Sequence, residues 1–144
     1  MPGYRKRFSC RVVTPAGQIT STDAVSVSLP GRDGAMGILG GHAPMVAMIG
    51  RGLVSIEPPE GHKLGFFVAD GFAHVADNVV TIIAEQCEQM DRIDPEALRR
   101  EMDRAKSMPD DSPAQRAARY EALAQGRTKF AAVQRWRRQD TGGH

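Results

Sequence analysis

The sequence predicts an all-β domain, an antiparallel sandwich or barrel, followed by two α-helices. Three observations predict this class. Short β-branched and apolar runs recur about every ten residues along the first part of the chain. Turn-forming pairs of glycine, proline, asparagine and aspartate separate these runs. Near residue 93 the apolar period changes from two to 3.6, as expected where strands give way to helices.

The strand-like part of the chain contains eight short segments. In the segment 24–29, Val25, Val27 and Leu29 alternate with small or polar residues, which is typical of a half-buried strand. The turns between segments include Pro15-Ala16-Gly17 and Asp77-Asn78. The predicted strands are residues 8–14, 18–22, 23–29, 45–49, 53–56, 64–69, 72–76 and 79–84.

Residues 29–44 carry five glycines and three turn dipeptides, which predicts a folded platform of β-turns. This glycine run does not match a phosphate loop. A Walker loop closes on Lys and Ser or Thr at a helix start, whereas this run closes on His42-Ala43-Pro44 with no helical period after it. A dinucleotide-binding fingerprint also requires a helix after the glycines.

Two helices follow. Asp94-Pro95-Glu96 supplies a capping residue, a proline at the first helical position and an early acid. Residues 109–111 break this helix, and Ser112-Pro113 with Gln115 predicts a second start with a capping box, running to about residue 138. Residues 141–144 are predicted to fray. One face of the first helix is apolar: Ala97, Leu98, Met102, Ala105 and Met108.

The second helix has two contrasting sides. One side combines arginines with apolar and aromatic groups: Arg116, Arg119, Arg127, Arg137 and Arg138, with Tyr120, Leu123 and Phe130. The other side is mostly small: Ala118, Ala122, Ala132, Val133 and Trp136. The basic side suits an acidic groove, or it is simply a solvated face. Residues 112–144 contain seven basic and two acidic residues, a net charge of +5, whereas the whole chain carries +2.

Composition excludes several classes of protein. No apolar run approaches the ~18 residues of a membrane span, and residues 1–8 lack the apolar core of a signal peptide. Cys10 and Cys87 are predicted to be reduced thiols, with a disulfide as the alternative, and no zinc-ligand spacing is present.

Neither catalysis nor nucleic-acid binding is indicated. The four histidines are scattered, and no nucleophile–base pair or paired carboxylate is recognisable. Asp33 and Asp70 precede glycines, which turn geometry explains. The basic tail and Trp136 lack any accompanying nucleic-acid recognition motif. We therefore expect no catalytic residue, no metal and no cofactor.

Four ordered segments resemble the epsilon subunit of F-type ATP synthases, the equivalent of the mitochondrial delta subunit. Pro30-Gly31-x-Asp33-Gly34-x-x-Gly37-Ile38-Leu39-x-Gly41-His42-Ala43-Pro44 resembles the family signature. Residues 68–75 resemble its V-x-G-G-F-x-E-V strand pair, and residues 78–85 its closing strand. Residues 90–94 resemble the junction to its helical tail. The resemblance covers nearly the whole chain.

The resemblance implies a two-sheet β-sandwich over residues 1–91 and a two-helix regulatory hairpin over residues 92–144. It implies a non-catalytic rotor subunit that couples the gamma subunit to the ring of c subunits. Its tail would contact the alpha and beta subunits and inhibit ATP hydrolysis. The expected location is the cytoplasmic face of a bacterial membrane, reached only through the complex. The alternatives are a non-inhibitory tail or an ATP-sensing variant.

The resemblance also implies site residues. The contact with gamma and the c-ring is expected at Asp33, Gly34, Met36, Gly37, His42, Ala43 and Pro44. The inhibitory residues are expected to be Arg116, Arg119 and Arg127. Ala35 stands where an acid is usual and Gly40 where proline is usual; Gly40 is expected to loosen the loop. Asp70 and His74 also depart from the family pattern.

The resemblance makes nucleotide binding doubtful. Some members bind ATP through I-D-x-x-R-A at the start of the first tail helix. Ile93 and Asp94 match that motif, but Ala97 replaces the arginine that would grip a phosphate. We therefore expect ATP binding to be weak or absent.

Overall fold

The computed structural model describes residues 6–142, and side chains up to residue 139. It contains eight β-strands, a short 3-10 helix and two α-helices. The strands are β1 (Phe8–Thr14), β2 (Gly17–Ala24), β3 (Ser26–Gly31), β4 (Gly34–Leu39), β5 (Met45–Ile49), β6 (Gly52–Glu57), β7 (Leu64–Ala76) and β8 (Val79–Gln89). The 3-10 helix is Met90–Arg92, and the α-helices are α1 (Pro95–Lys106) and α2 (Pro113–Gly142).

The chain divides into two compact units, between Gln89 and Met90. That division lies two residues before the boundary predicted at 91/92. In the strand unit, β-strand pairing runs in the order β2-β1-β8-β7-β5-β3-β4, while β6 pairs with β3 and β7. All pairs are antiparallel except β1 with β8.

Strand β7 is shared between two groups of strands. Its first part pairs with β6 and with residues 86–89 of β8. Its second part pairs with β5 and with residues 79–84 of β8. Asp70 separates the two parts with a positive φ of 57° and no partner in the ladder with β8. Such an interruption lets one long strand bend and serve both layers of a sandwich.

The core of the strand unit is aliphatic and aromatic, as the strand alternation predicted. The fully buried side chains include Val27 and Leu29 of β3, Ile56 of β6, Phe66 of β7 and Ile82 of β8. These residues come from four strands, and the equally buried Val12 of β1 and Ile38 of β4 add two more. Each strand therefore buries its apolar face against several others.

The strands predicted from the sequence differ from those of the structure in four places. The predicted turn platform at 29–44 contains strand β4. This strand pairs with β3, from Ser26 opposite Leu39 at one end to Gly31 opposite Gly34 at the other. The predicted strands 64–69 and 72–76 are one strand, and β8 continues to Gln89. Strand β2 runs to Ala24, and β3 begins at Ser26 rather than residue 23. Glycines and aspartates were interpreted as ends of strands because their low strand propensity is a local property. Hydrogen bonds to neighbouring strands, which keep these residues extended, are not visible in the local sequence.

Gly71, next to Asp70, lies too close to strand β8 to carry a side chain. A Cβ atom at this position would overlap the carbonyl oxygen of Ile83 and lie 2.8 Å from the Cα of Ala84. Because those atoms belong to the paired backbone, Gly71→Ala is expected to lower the free energy of unfolding by about 3 kcal/mol. Chemical denaturation measures this change. The matched control is Gly37→Ala, where no atom lies within 4 Å of the added Cβ; equal losses at both positions would contradict the packing explanation.

The helix starts agree with the sequence. The Asp94 carboxylate accepts a hydrogen bond from the backbone nitrogen of Glu96 at 3.0 Å. The Ser112 hydroxyl accepts one from the nitrogen of Gln115 at 3.1 Å, while Gln115 Oε1 accepts from the nitrogen of Ser112 at 3.2 Å. This reciprocal pair is the predicted capping box.

The helical hairpin packs closely along one stripe of α2. Gly126 is buried, and a Cβ there would lie 2.8 Å from Cγ of Met102 on α1. On the side of α2 that carries mostly small residues, Val133 and Trp136 are buried, but Ala118 is exposed. Helix α2 extends to Gly142, beyond the predicted end near residue 138 and into the segment predicted to fray; residues 143–144 lie outside the described chain.

Candidate functional site

The predicted contact residues surround the hairpin of β3 and β4 and the segment that follows it. Arg32 and Asp33 form the two-residue hairpin turn, and Gly34 begins β4 with a φ of +123° that glycine adopts without strain. Met36 and Gly37 lie on β4, and His42, Ala43 and Pro44 connect β4 to β5. All seven are exposed except Met36, which is half-buried and packs against the core. The fold therefore places them on and beside β4, the strand at one end of the pairing order.

Gly40 has a packing role that the sequence did not reveal. A Cβ atom there would lie 2.5 Å from the carbonyl oxygen of Lys6. The incoming chain therefore passes directly against Gly40, and a proline ring would not fit beside it. Glycine at this position accommodates a close backbone approach, which is a different reason from the loosening expected from sequence.

A row of apolar side chains crosses the outer face of four strands, and the sequence analysis missed it. The register places Met48 opposite Phe72, Phe72 opposite Ile83, and Ile83 opposite Val13. Phe72 is 39% exposed and Met48 53%. Val46, two residues from Met48 on the same face of β5, is 65% exposed. We call Val13, Met48, Phe72 and Ile83 the apolar row.

The signal that could have revealed the row is the composition of β5. All five residues of this strand are apolar, Met-Val-Ala-Met-Ile, whereas a strand with one solvated face alternates apolar and polar residues. In the structure Ile49 is buried, while Val46 and Met48 face outward. An apolar patch on an outward face is a common property of surfaces that bind other proteins.

A cleft of about 490 Å³ opens above the apolar row. Its apolar lining includes all four members of the row. Arg32, Asp70 and Glu85 also line it, and all three are exposed. An apolar floor with charged groups around it is the usual anatomy of a protein-binding surface.

The three candidate arginines of α2 differ in their surroundings. Arg119 donates to the carbonyl oxygen of Lys106 from Nε at 3.3 Å and from Nη2 at 3.1 Å. Arg116 donates from Nη1 to the carbonyl oxygen of Asp110 at 3.2 Å. Arg127 is exposed and has no hydrogen bond or ion pair within the described residues. Arg116 and Arg119 therefore bind backbone atoms at the hairpin turn, whereas Arg127 extends into solvent.

The residues matching the nucleotide motif have structural positions. Asp94 caps α1, as described above, and Ile93 is half-buried. Arg99 and Arg100 are exposed on the side of α1 away from buried Leu98 and Ala105. We therefore predict that millimolar ATP does not raise the melting temperature of the chain. A binding site with micromolar Kd would stabilise it by about 4 kcal/mol at that concentration. A saturable rise with ATP, absent with pyrophosphate, would contradict this prediction.

The described residues contain no group of three or more His, Cys, Asp or Glu side chains that could hold a metal ion. Cys10 is buried and Cys87 half-buried, and both are free thiols. Burial raises the pKa of Cys10 to about 12. Burial, with a smaller contribution from the Glu88 carboxylate, raises the pKa of Cys87 to about 11. Both thiols are therefore protonated at neutral pH, which makes them poor nucleophiles. Neither helix in residues 6–142 is long and apolar enough to span a membrane.

Comparisons with known proteins agree on one family. Residues 7–90 match the family described as "ATP synthase, Delta/Epsilon chain, beta-sandwich domain". The ATP synthase epsilon chain of Brucella anthropi is 30% identical over 105 residues, which cover 73% of this chain and 78% of that protein. The epsilon chain of a Synechococcus strain is 35% identical over 95 residues, covering 66% and 69%.

Two solved assemblies contain chains of the same fold. One is the OSCP/F1/c-ring structure of the Euglena gracilis mitochondrial ATP synthase, with a TM-score of 0.70, 21% identity, and coverage of 100% of this chain and 86% of that one. The other is the central stalk and c-ring of the Tetrahymena thermophila mitochondrial ATP synthase, with a TM-score of 0.64, 15% identity, and coverage of 90% and 98%. At these identities the likeness shows the fold alone.

Proposed function

The chain belongs to the family of ATP synthase delta/epsilon chains, and we propose that it is a non-catalytic rotor subunit of an F-type ATP synthase. In this role the strand unit joins the gamma subunit to the ring of c subunits and turns with both. Coupling by rotation requires a rigid body, and a closely packed aliphatic and aromatic core resists deformation. The expected location is peripheral, on the cytoplasmic side of a bacterial membrane, through the complex alone.

The observation that carries this proposal is the apolar row. Phe72 and Met48 lie side by side on an outward face, flanked by Ile83 and Val13. Keeping these side chains in water is unfavourable by about 25 cal/mol for each Å² of apolar surface that a partner could cover. A stable partner that covers the row would remove this unfavourable contact with water. We assign this face to gamma.

The hairpin edge is the proposed contact with the ring. Asp33 and His42 are exposed there, and the glycines bring the backbone close to the surface. Polar loops of c subunits would meet a polar edge through hydrogen bonds rather than apolar burial. Ala35 is exposed on the same hairpin and contributes no polar group, so Asp33 supplies the acidic contact.

The proposed role of α2 is inhibition of ATP hydrolysis. Residues 112–144 carry a net charge of +5, and Arg127 is exposed. An acidic segment of a catalytic subunit would attract this helix, as the resemblance implies. A rotor subunit with a non-inhibitory tail is the alternative, and an ATP-sensing variant is disfavoured by Ala97.

Coexpression with the other subunits tests the proposal. The tagged chain should copurify with gamma and the c-ring, and complexes lacking it should lose coupling between ATP hydrolysis and proton pumping. Hydrolysis should continue without the chain, because it supplies no catalytic group. Failure to copurify with gamma, or loss of all hydrolysis when the chain is absent, would contradict the proposed role.

A further inference from the structure

We infer that Arg119 is a latch that holds the helical hairpin closed and withholds the first arginines of α2 from an acidic partner. Lys106 is the last residue of α1, so its carbonyl belongs to the group that a helix end leaves without an intrahelical partner. The Arg119 guanidinium donates two hydrogen bonds to that oxygen. A cation is also favoured at the negative end of a helix dipole. Arg119 therefore satisfies the end of α1 from the second turn of α2.

The turn between the helices reinforces this contact. Arg116 donates to the carbonyl oxygen of Asp110 at 3.2 Å, two residues before the capping Ser112. Gln115 Oε1 accepts from the backbone nitrogen of Asp111 at 2.9 Å. Gln115 and Arg116 thus bind the linker, and Arg119 binds the end of α1, all from the first two turns of α2. Moving α1 away from α2 would break the Arg119 contact with Lys106.

The backbone carbonyls of Lys106 and Asp110 and an acidic partner would compete for the same guanidinium N–H groups of Arg119 and Arg116. A guanidinium recognises a carboxylate through a fork of two parallel N–H groups. In the closed hairpin Arg119 directs two of its N–H groups at Lys106, and Arg116 directs one at Asp110. Full engagement of an acidic segment by these two arginines therefore requires the hairpin to open, whereas Arg127 is available in either state.

A second hydrogen bond joins the helices at the end of the hairpin away from the turn. Trp136 is buried, and its Nε1 donates to the Asp91 carboxylate at 3.1 Å. This bond links the last third of α2 to the 3-10 helix that precedes α1. Because it lies far along α2 from Arg119, it allows the turn end to be tested separately.

Hydrogen exchange on the free, full-length chain tests the latch without reference to any partner. In Arg119→Ala, amides of residues 104–115 should exchange about tenfold faster than in the parent chain, the effect of losing a charge-assisted contact. Arg119→Lys should accelerate exchange less than Arg119→Ala, because an ammonium group keeps the charge at the helix end but cannot direct Nε and Nη2 at the same oxygen. The matched control is Arg127→Ala, on the same helix, which should exchange like the parent. Equal exchange in Arg119→Ala and Arg127→Ala would overturn the latch.

The consequence for inhibition rests on the proposed function and needs a second measurement. Arg119→Lys keeps the positive charge but weakens the contact with Lys106, so the assembled enzyme should hydrolyse ATP more slowly than the parent enzyme. If exchange accelerates and hydrolysis is unchanged, the latch stands and the inhibitory role of α2 is refuted. If hydrolysis slows without faster exchange, the latch is refuted and the inhibitory role stands.

Discussion

Replacing Phe72 with lysine is expected to weaken binding of this chain to gamma about 100-fold. Phe72 lies in the middle of the apolar row, between Met48 and Ile83, where a partner would exclude water most completely. Burying an ammonium group there, and losing the aromatic contact, is expected to cost about 3 kcal/mol of binding free energy. Titration of the purified variant against a gamma-containing complex depleted of this chain measures the change.

The control distinguishes the row from exposed apolar surface in general. Ile19 is 44% exposed on strand β2 and is not a member of the row. Ile19→Lys should bind gamma like the parent chain. Both variants should melt within a few degrees of the parent, because the replaced side chains already reach solvent. Equal weakening by both substitutions would show that gamma does not recognise the row specifically.

Removing residues 90–144 is expected to increase ATP hydrolysis by the assembled enzyme while leaving assembly intact. The proposed inhibition resides in α2, whereas the proposed contacts with gamma and the ring all lie in the strand unit. Three arginine–carboxylate pairs of about 1 kcal/mol each would shift the inhibitory equilibrium by roughly 100-fold. The loss of inhibition is measured as the difference in ATP hydrolysis rate between complexes that carry the full-length chain and complexes that carry the shortened chain.

Substitution of the arginines separates charge from bulk. Changing Arg116, Arg119 and Arg127 to alanine removes three positive charges from α2 and keeps a good helix former at each position. Arg127→Ala alone leaves the hairpin turn unaltered, because Arg127 makes no contact there. If the deletion activates hydrolysis and the triple substitution does not, inhibition is steric. If neither changes the rate, the tail is not inhibitory and the chain serves only coupling.

The sequence located the helix starts to the residue because capping is local chemistry. Asp94-Pro95 and Ser112-Pro113 place a side-chain acceptor and a proline where a helix must begin, and both helices begin at those prolines. Helix ends were less accurate. Nothing near residue 138 stops α2, and the preceding breaker at 109–111 was recognised only because it contains a proline.

The alternation of Val25, Val27 and Leu29 likewise identified buried residues correctly, since period two fixes which side chains share a face. The family resemblance was confirmed over the strand unit, which contains three of the four ordered motifs. The locations of Asp33 and His42 on an exposed edge agree with the predicted contact, while the contact itself stays a prediction.

Tertiary structure alone decided three features. Alignment of Val13, Ile83, Phe72 and Met48 depends on the register of four strands that are distant in sequence, and a shift of one residue would turn each side chain to the opposite face. The division of β7 at Asp70 depends on the pairing of its first part with β6 and of its second part with β5. The use of Arg119 at the end of α1 depends on how closely the helices approach, which Gly126 permits. The sequence by itself determined which residues are apolar, charged or capping, because those properties belong to single side chains and short spacings. Which of them meet was determined by long-range pairing, because hydrogen bonds between distant strands and packing between helices join residues that no local pattern relates.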